Sequence, residues 1–222
     1  MGKRAEKGII FLELLLLIVL LFWQDSVQVF CKNLIWPEKK KIALTFDDGP
    51  TPGITDRLLD GLKERNIKAS FFVLGKGAEE YPELIKREYE EGHLIGNHTY
   101  HHVQLTAANH ECFQEEILMT NEVLEKITGE ETMFIRPPFG SWHKKYEKEL
   151  AMIPVFWTID PLDWNCSDID CIVKNVVTKT EENDIILMHD GYETSVTAAL
   201  RIIDELQKQD YEFVTVDELL LE

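Results

Sequence analysis

The chain has 222 residues, with 40 acidic against 23 basic side chains and a net charge of −17. That length holds one domain with a substantial core and a short appendage. The charge excludes a nucleic-acid or anionic-lipid surface as the main partner and disfavours polyanionic substrates, since both reward positive potential; neutral carbohydrate, bound by hydrogen bonds and aromatic faces, stays open.

The first element is apolar. Gly8 to Trp23 carries only one charge, Glu13, and is flanked by Lys3, Arg4 and Lys7 before it and Asp25 after it. Such a segment is an export signal or a membrane anchor. It is shorter than the roughly 20 residues of a full span, yet no small-x-small cleavage site follows. We expect a retained membrane anchor with the rest of the chain outside the cell, or a secreted chain if the segment is cleaved. Residues 1–36 are assigned to a cytoplasmic stub, anchor and stalk, and residues 37–222 to one domain. The cysteines, Cys31, Cys112, Cys166 and Cys171, show no C-x-x-C spacing, so no structural cysteine-zinc site is indicated. Cys166 and Cys171 are equally compatible with a disulfide and with two thiols.

Beyond Trp36-Pro37, short apolar runs alternate with amphipathic stretches. The expected strands are Ile42–Phe46, Ser70–Leu74, Leu94–Asn97, Thr132–Arg136, Val155–Ile159, Asp184–Met188 and Glu212–Val214. Helical patterns cover Thr55–Arg65, Glu79–Glu91, Asn109–Ile127, His143–Leu150, Ser167–Thr178, Ser195–Gln209 and Val216–Leu221. This order predicts a parallel α/β architecture. The charges of Glu79–Glu91, Glu88 included, read as a solvated outer face, and His93, His110 and His143 as surface residues.

Five strands are followed at once by residues that carry chemistry. The first ends in Asp47-Asp48-Gly49-Pro50, two adjacent carboxylates that repel each other and lose solvation unless a cation neutralises them. The third is followed by His98, His101 and His102; His98 and His102 stand four apart, so one helical turn would aim both rings the same way. One carboxylate and two imidazoles form a common metal shell, with His101 the competitor to His102. The fourth is followed by Arg136-Pro137-Pro138-Phe139-Gly140, where a buried guanidinium needs Asp47 or Asp163 as partner, and the Phe139 N–H is placed for an oxyanion. Asp163-Trp164 follows the fifth strand and His189 the sixth. An imidazole beside an aspartate suits protonation of a leaving group, and Trp164 and Leu187 could wall an apolar pocket. In a parallel barrel these strand ends meet on one face.

The motifs TFDDGP at 45–50, H-T-x-x-H at 98–102, RPPFG at 136–140, DPLDW at 160–164 and LMH at 187–189 resemble, in this order, those of the polysaccharide deacetylases, carbohydrate esterase family 4 with the NodB-homology domain. The resemblance spans about residues 40 to 215. It implies a distorted (β/α) barrel, often of seven strands, and a divalent metal, zinc foremost with cobalt or another ion possible, on Asp48, His98 and His102. It further implies Asp47 as general base oriented by Arg136, His189 as general acid tuned by Asp163, an oxyanion contact from Phe139, and Trp164 and Leu187 around the acetyl methyl. The family commonly has tyrosine where this chain has Phe139. The expected activity is N-deacetylation of a cell-wall or chitin-like polysaccharide by a monomer. O-acetyl esterase action on a xylan-like polymer is the alternative, and a non-catalytic carbohydrate-binding protein is the reading from another class.

Overall fold

The computed structural model describes residues 39–106 and 108–221. The expected anchor, the 36/37 boundary and Cys31 lie outside these residues. Parallel strands β1 (Lys40–Asp47), β2 (Ser70–Val73), β3 (Leu94–Asn97), β4 (Phe134–Ile135), β5 (Ile153–Pro154), β6 (Ile185–His189) and β7 (Tyr211–Val214) alternate with helices. The sheet order is β5-β4-β3-β2-β1-β6, and β7 pairs with the first half of β1. β1 is the axis of the sheet: Ala43 to Asp47 run beside Ile185 to His189, while Thr45 to Asp47 run beside Ser70 to Phe72 on the other edge.

The sheet curls into a distorted barrel. Val155 still donates to the Ile135 carbonyl at 2.8 Å, and Ile159 then bridges to Ile186. The strand expected at Val155–Ile159 is therefore two short contacts, one with each neighbour. Pro154 supplies no N–H to continue β5, and the intervening Phe156 and Trp157 carry the chain across.

Packed outside the strands are α1 (Ile54–Glu64), α2 (Gly75–Glu80), α3 (Pro82–Glu90), α4 (His110–Thr128), α5 (Lys145–Glu149), α6 (Ile169–Val177), α7 (Glu193–Gln207) and α8 (Val216–Leu221). Alternation in β1 sends Ile42, Leu44 and Phe46 outward against Leu58, Leu59 and Leu62 of α1, forming the main core with Ile172, Val176, Ile202 and Ile203. Each such buried side chain contributes about 1.5–3 kcal/mol over its exposed state. The opposite parity, Ala43 with Phe72, Phe134, Val155 and Ile185, fills the barrel interior.

Three expectations need correction. The helix foreseen over Glu79–Glu91 is two helices, because Pro82 lacks a backbone donor and begins a new helix. Glu88 is not on a solvated face: it is fully buried, as its spacing of four from Leu84 and three from Ile85 dictates. His93 is buried too; its Nδ1 accepts the Ala69 N–H at 3.1 Å, and burial pulls its pKa down to about 4. Cys166 and Cys171 are free thiols.

Candidate active site

The parity that sends Phe46 outward turns Thr45 and Asp47 into the barrel. There the fully buried Arg136 donates from Nη1 to Asp47 Oδ1 at 2.8 Å and to Thr45 Oγ1 at 2.6 Å. Its Nε reaches the Val155 carbonyl at 3.3 Å, and the guanidinium lies 4.3 Å from the centre of the Phe72 ring. Of the two expected partners Arg136 pairs with Asp47, while Asp163 is engaged elsewhere. Burial pulls the guanidinium's pKa down against the attraction of Asp47; an arginine is nevertheless a cation at any physiological pH.

Asp48 adopts a left-handed conformation, φ 73°, which separates its carboxylate from that of Asp47. Its Oδ1 lies 3.4 Å from His98 Nε2 and 3.6 Å from His102 Nε2. Ligands about 2.1 Å from a tetrahedral ion stand roughly 3.4 Å apart, so this spacing suits one divalent cation. Two further features fit. Asp48 Oδ1 is buried with no hydrogen-bond partner among the described residues, and His98 donates from Nδ1 to the Arg136 carbonyl at 2.6 Å, which leaves the Nε2 lone pair toward Asp48. Burial alone would raise the pKa of Asp48, but the surrounding imidazoles of His98, His102 and His189 hold it below the ordinary carboxylate value. Burial, reinforced by His98, lowers the pKa of His102 against the opposing charges of Asp48 and Asp47.

No helical turn aligns His98 with His102. Thr99 and His102 have φ of 66° and 59°, so the segment doubles back as a loop. Asn97 pins it, accepting the Thr99 N–H at 2.7 Å and donating to the Ile117 carbonyl at 2.9 Å. Glu116 of α4 accepts both the backbone N–H and Nδ1–H of His101, at 2.6 and 2.9 Å. That clamp holds His101 outside the group formed by Asp48, His98 and His102.

His189 lies opposite Asp47 in the β1–β6 register. Asp163 accepts its backbone N–H and its Nδ1–H, both at 2.9 Å, so Nε2 is the nitrogen available to the cleft. Burial lowers the pKa of His189, and the hydrogen bond and charge of Asp163 more than offset that, leaving it above the ordinary imidazole value.

A cleft of about 400 Å³ joins these groups, walled by Phe139, Trp164 and Leu187. All the residues to which the resemblance gives a role line it except Arg136 and Asp163, which are buried behind it. Phe139 stands at φ 59° with its ring 4.8 Å from that of His102. Trp157 and Tyr192 also line the cleft and were not foreseen; Asp160 and Leu162, inside the DPLDW motif but given no role of their own, line it too. The signals for them were local: the Leu162 N–H donates to Asp160 Oδ1 at 2.8 Å, a turn that D-P-L-D favours, and Tyr192 sits three residues past His189. Thr45 was legible as well, two residues before Asp47 on the same strand face. A larger cleft, about 630 Å³, opens near the start of β3 and β4 around His93 and Met133, away from these groups.

Comparison with known proteins agrees with this geometry. Residues 36–155 match the family model described as polysaccharide deacetylase. The peptidoglycan-N-acetylglucosamine deacetylase PgdA of Listeria monocytogenes is 39% identical over 180 residues, covering 81% of this chain and 39% of that protein. The chain thus spans about two fifths of the length of that relative. The structure of peptidoglycan deacetylase PdaC from Bacillus subtilis superposes with a TM-score of 0.79 at 39% identity, covering 83% of this chain and 92% of that one. A family 4 acetyl xylan esterase from Clostridium thermocellum, in complex with a cobalt ion, gives a TM-score of 0.76 at 32% identity over 82% and 91% of the two chains. Motif order, barrel topology and these likenesses agree, and the chain belongs to the polysaccharide deacetylase family.

Proposed function

We propose that this protein is a metal-dependent deacetylase that removes N-acetyl groups from peptidoglycan, working outside the cell and held at the membrane by its N-terminal apolar segment. The observation that carries the reading is the joining, in one cleft, of an Arg136-held carboxylate, an Asp48-His98-His102 group and an Asp163-held imidazole. The likeness to PgdA, a peptidoglycan-N-acetylglucosamine deacetylase, and to PdaC, a peptidoglycan deacetylase, supports peptidoglycan as the substrate. A divalent ion at Asp48, His98 and His102, zinc by preference, would supply Lewis-acid polarisation of the acetyl carbonyl and a more acidic attacking water.

The chain's own groups do the rest. Asp47, held by Arg136 and Thr45, takes the proton of the attacking water. The Phe139 N–H faces the oxygen on which negative charge develops. His189, oriented by Asp163, whose charge favours the protonated ring, gives its Nε2 proton to the nitrogen as the C–N bond breaks, so that an amine departs with acetate. Leu187 and Trp164 enclose the acetyl methyl, while the half-exposed Trp164 and Tyr192 offer aromatic faces to sugar rings.

The likeness to an acetyl xylan esterase favours a second reading, ester hydrolysis at the same site. An alkoxide leaves more readily than an amide nitrogen, so protonation by His189 matters less there. Acetate release from N-acetylated peptidoglycan, chitin oligomers and acetylxylan, with and without chelator, separates the readings. We expect chelator-sensitive release from peptidoglycan, lost in Asp47→Asn and His189→Ala. Turnover confined to acetylxylan would favour the esterase, and none on any substrate a binding protein.

A further inference from the structure

Asp190 is fully buried directly after His189 and plays no part in the chemistry above. Strand parity turns it to the side of the sheet opposite His189, toward α1. Its Oδ2 accepts the hydroxyl proton of Thr55 at 2.5 Å, and Thr55 Oγ1 in turn accepts the Thr51 N–H at 2.8 Å. The carboxylate also lies against Gly49: a Cβ there would stand 2.3 Å from both of its oxygens. From the other flank, Gly77 is packed against Pro50, and Leu74 donates its N–H to the Gly49 carbonyl at 3.0 Å. The Gly49–Thr51 turn, which follows immediately on the left-handed Asp48, is thus gripped between Asp190 with Thr55 and the start of α2.

We propose that Asp190, acting with Thr55, is the positioning residue for Asp48: it seats the Gly49–Thr51 turn and so sets the distance from the Asp48 carboxylate to His98 and His102. The proposal rests on the metal-site reading above. A buried acid with one oxygen, Oδ1, lacking a hydrogen-bond partner among the described residues is costly to keep. Packing alone would be met more cheaply by an apolar side chain. A carboxylate does what an apolar group cannot, because it fixes the Thr55 hydroxyl as a donor and thereby frees that oxygen's lone pair for Thr51. Gly49 follows from the same contact, since any side chain there would displace the brace.

The test measures Zn2+ affinity of the full chain by competition with a chromophoric chelator, together with the thermal midpoint of the metal-free chain. Thr55→Val keeps the shape and removes the hydrogen bonds; Thr55→Ser keeps the hydroxyl. Disturbing the groups that orient a metal ligand lowers affinity by about 10-fold or more, so we expect a loss of that size in Thr55→Val and in Asp190→Ala, with Thr55→Ser within about twofold of the parent. Unchanged affinity in Thr55→Val, or an equal loss in Thr55→Ser, overturns the proposal even if Asp190→Ala fails to fold. Such a result leaves the metal site intact, whereas absence of Zn2+ binding by the unaltered chain overturns both readings.

Discussion

Arg136 and Asp47 form a buried ion pair whose members depend on each other, since neither has appreciable contact with solvent. Removing one partner of such a pair costs about 3–5 kcal/mol, whereas replacing both with apolar groups can be neutral. Arg136→Met should therefore lower the unfolding midpoint and abolish acetate release, and adding Asp47→Leu should recover most of the stability but none of the activity. A double variant no more stable than Arg136→Met would show that the pair is not the coupled unit described. The His189–Asp163 pair makes a second claim at this scale. As the proposed general acid, His189 works only while protonated, so activity should fall as pH rises through its raised pKa. Asp163→Asn removes the charge that raises it, and the alkaline limb of kcat/KM should move to lower pH. A limb that stays in place in this variant would exclude His189 as the acid.

At the scale of elements, α3 shows why a charged run can mislead. Glu88 sits in a charged run of sequence, yet helical spacing puts it on the face of Leu84 and Ile85, and neither of its carboxylate oxygens has a hydrogen-bond partner among the described residues. Burial, with a smaller contribution from Asp190, raises its pKa well above the ordinary value. The folded chain therefore keeps a proton that the unfolded chain releases from about pH 4.5 upward, and stability falls as pH rises through that window, at up to about 1.4 kcal/mol per pH unit. Glu88→Met removes this penalty. Its metal-free thermal midpoint should exceed the parent's by more at pH 8 than at pH 5, and an equal difference at both values would refute the assignment. The loop at His98–His102 carries the complementary lesson: identical spacing in sequence aligned two imidazoles without a helix, through left-handed residues and the clamps of Asn97 and Glu116.

For the whole molecule, strand parity, register and helix packing converge on one face, and a bound ion would tie β1 to the loop after β3. A ligand that binds only the folded state at 100 times its dissociation constant adds about 2.7 kcal/mol. For a chain of this size that corresponds to roughly 5–10 °C in midpoint. Zn2+ should raise the unfolding midpoint by this amount, chelator should reverse it, and His98→Ala with His102→Ala should abolish it. A midpoint indifferent to Zn2+ would count against the site.

Much of this was legible in the sequence because it is local in origin. Apolar runs and helical periods follow from the order of residues, so the alternation of strands and helices, the placing of chemical groups just after strands, and the family likeness could all be read from it. Boundaries failed where a proline removed a donor, at Pro82 and Pro154, and burial failed at Glu88 and His93, where charge type was weighed above helical phase or tertiary packing. What only the tertiary structure decided were pairings through space: Arg136 with Asp47 rather than Asp163, His102 rather than His101 beside Asp48, the His98 tautomer set by a carbonyl of a distant strand end, and Asp190 beneath Gly49. Those choices rest on distances of a few ångströms between segments tens of residues apart, which residue order constrains only through the folded chain.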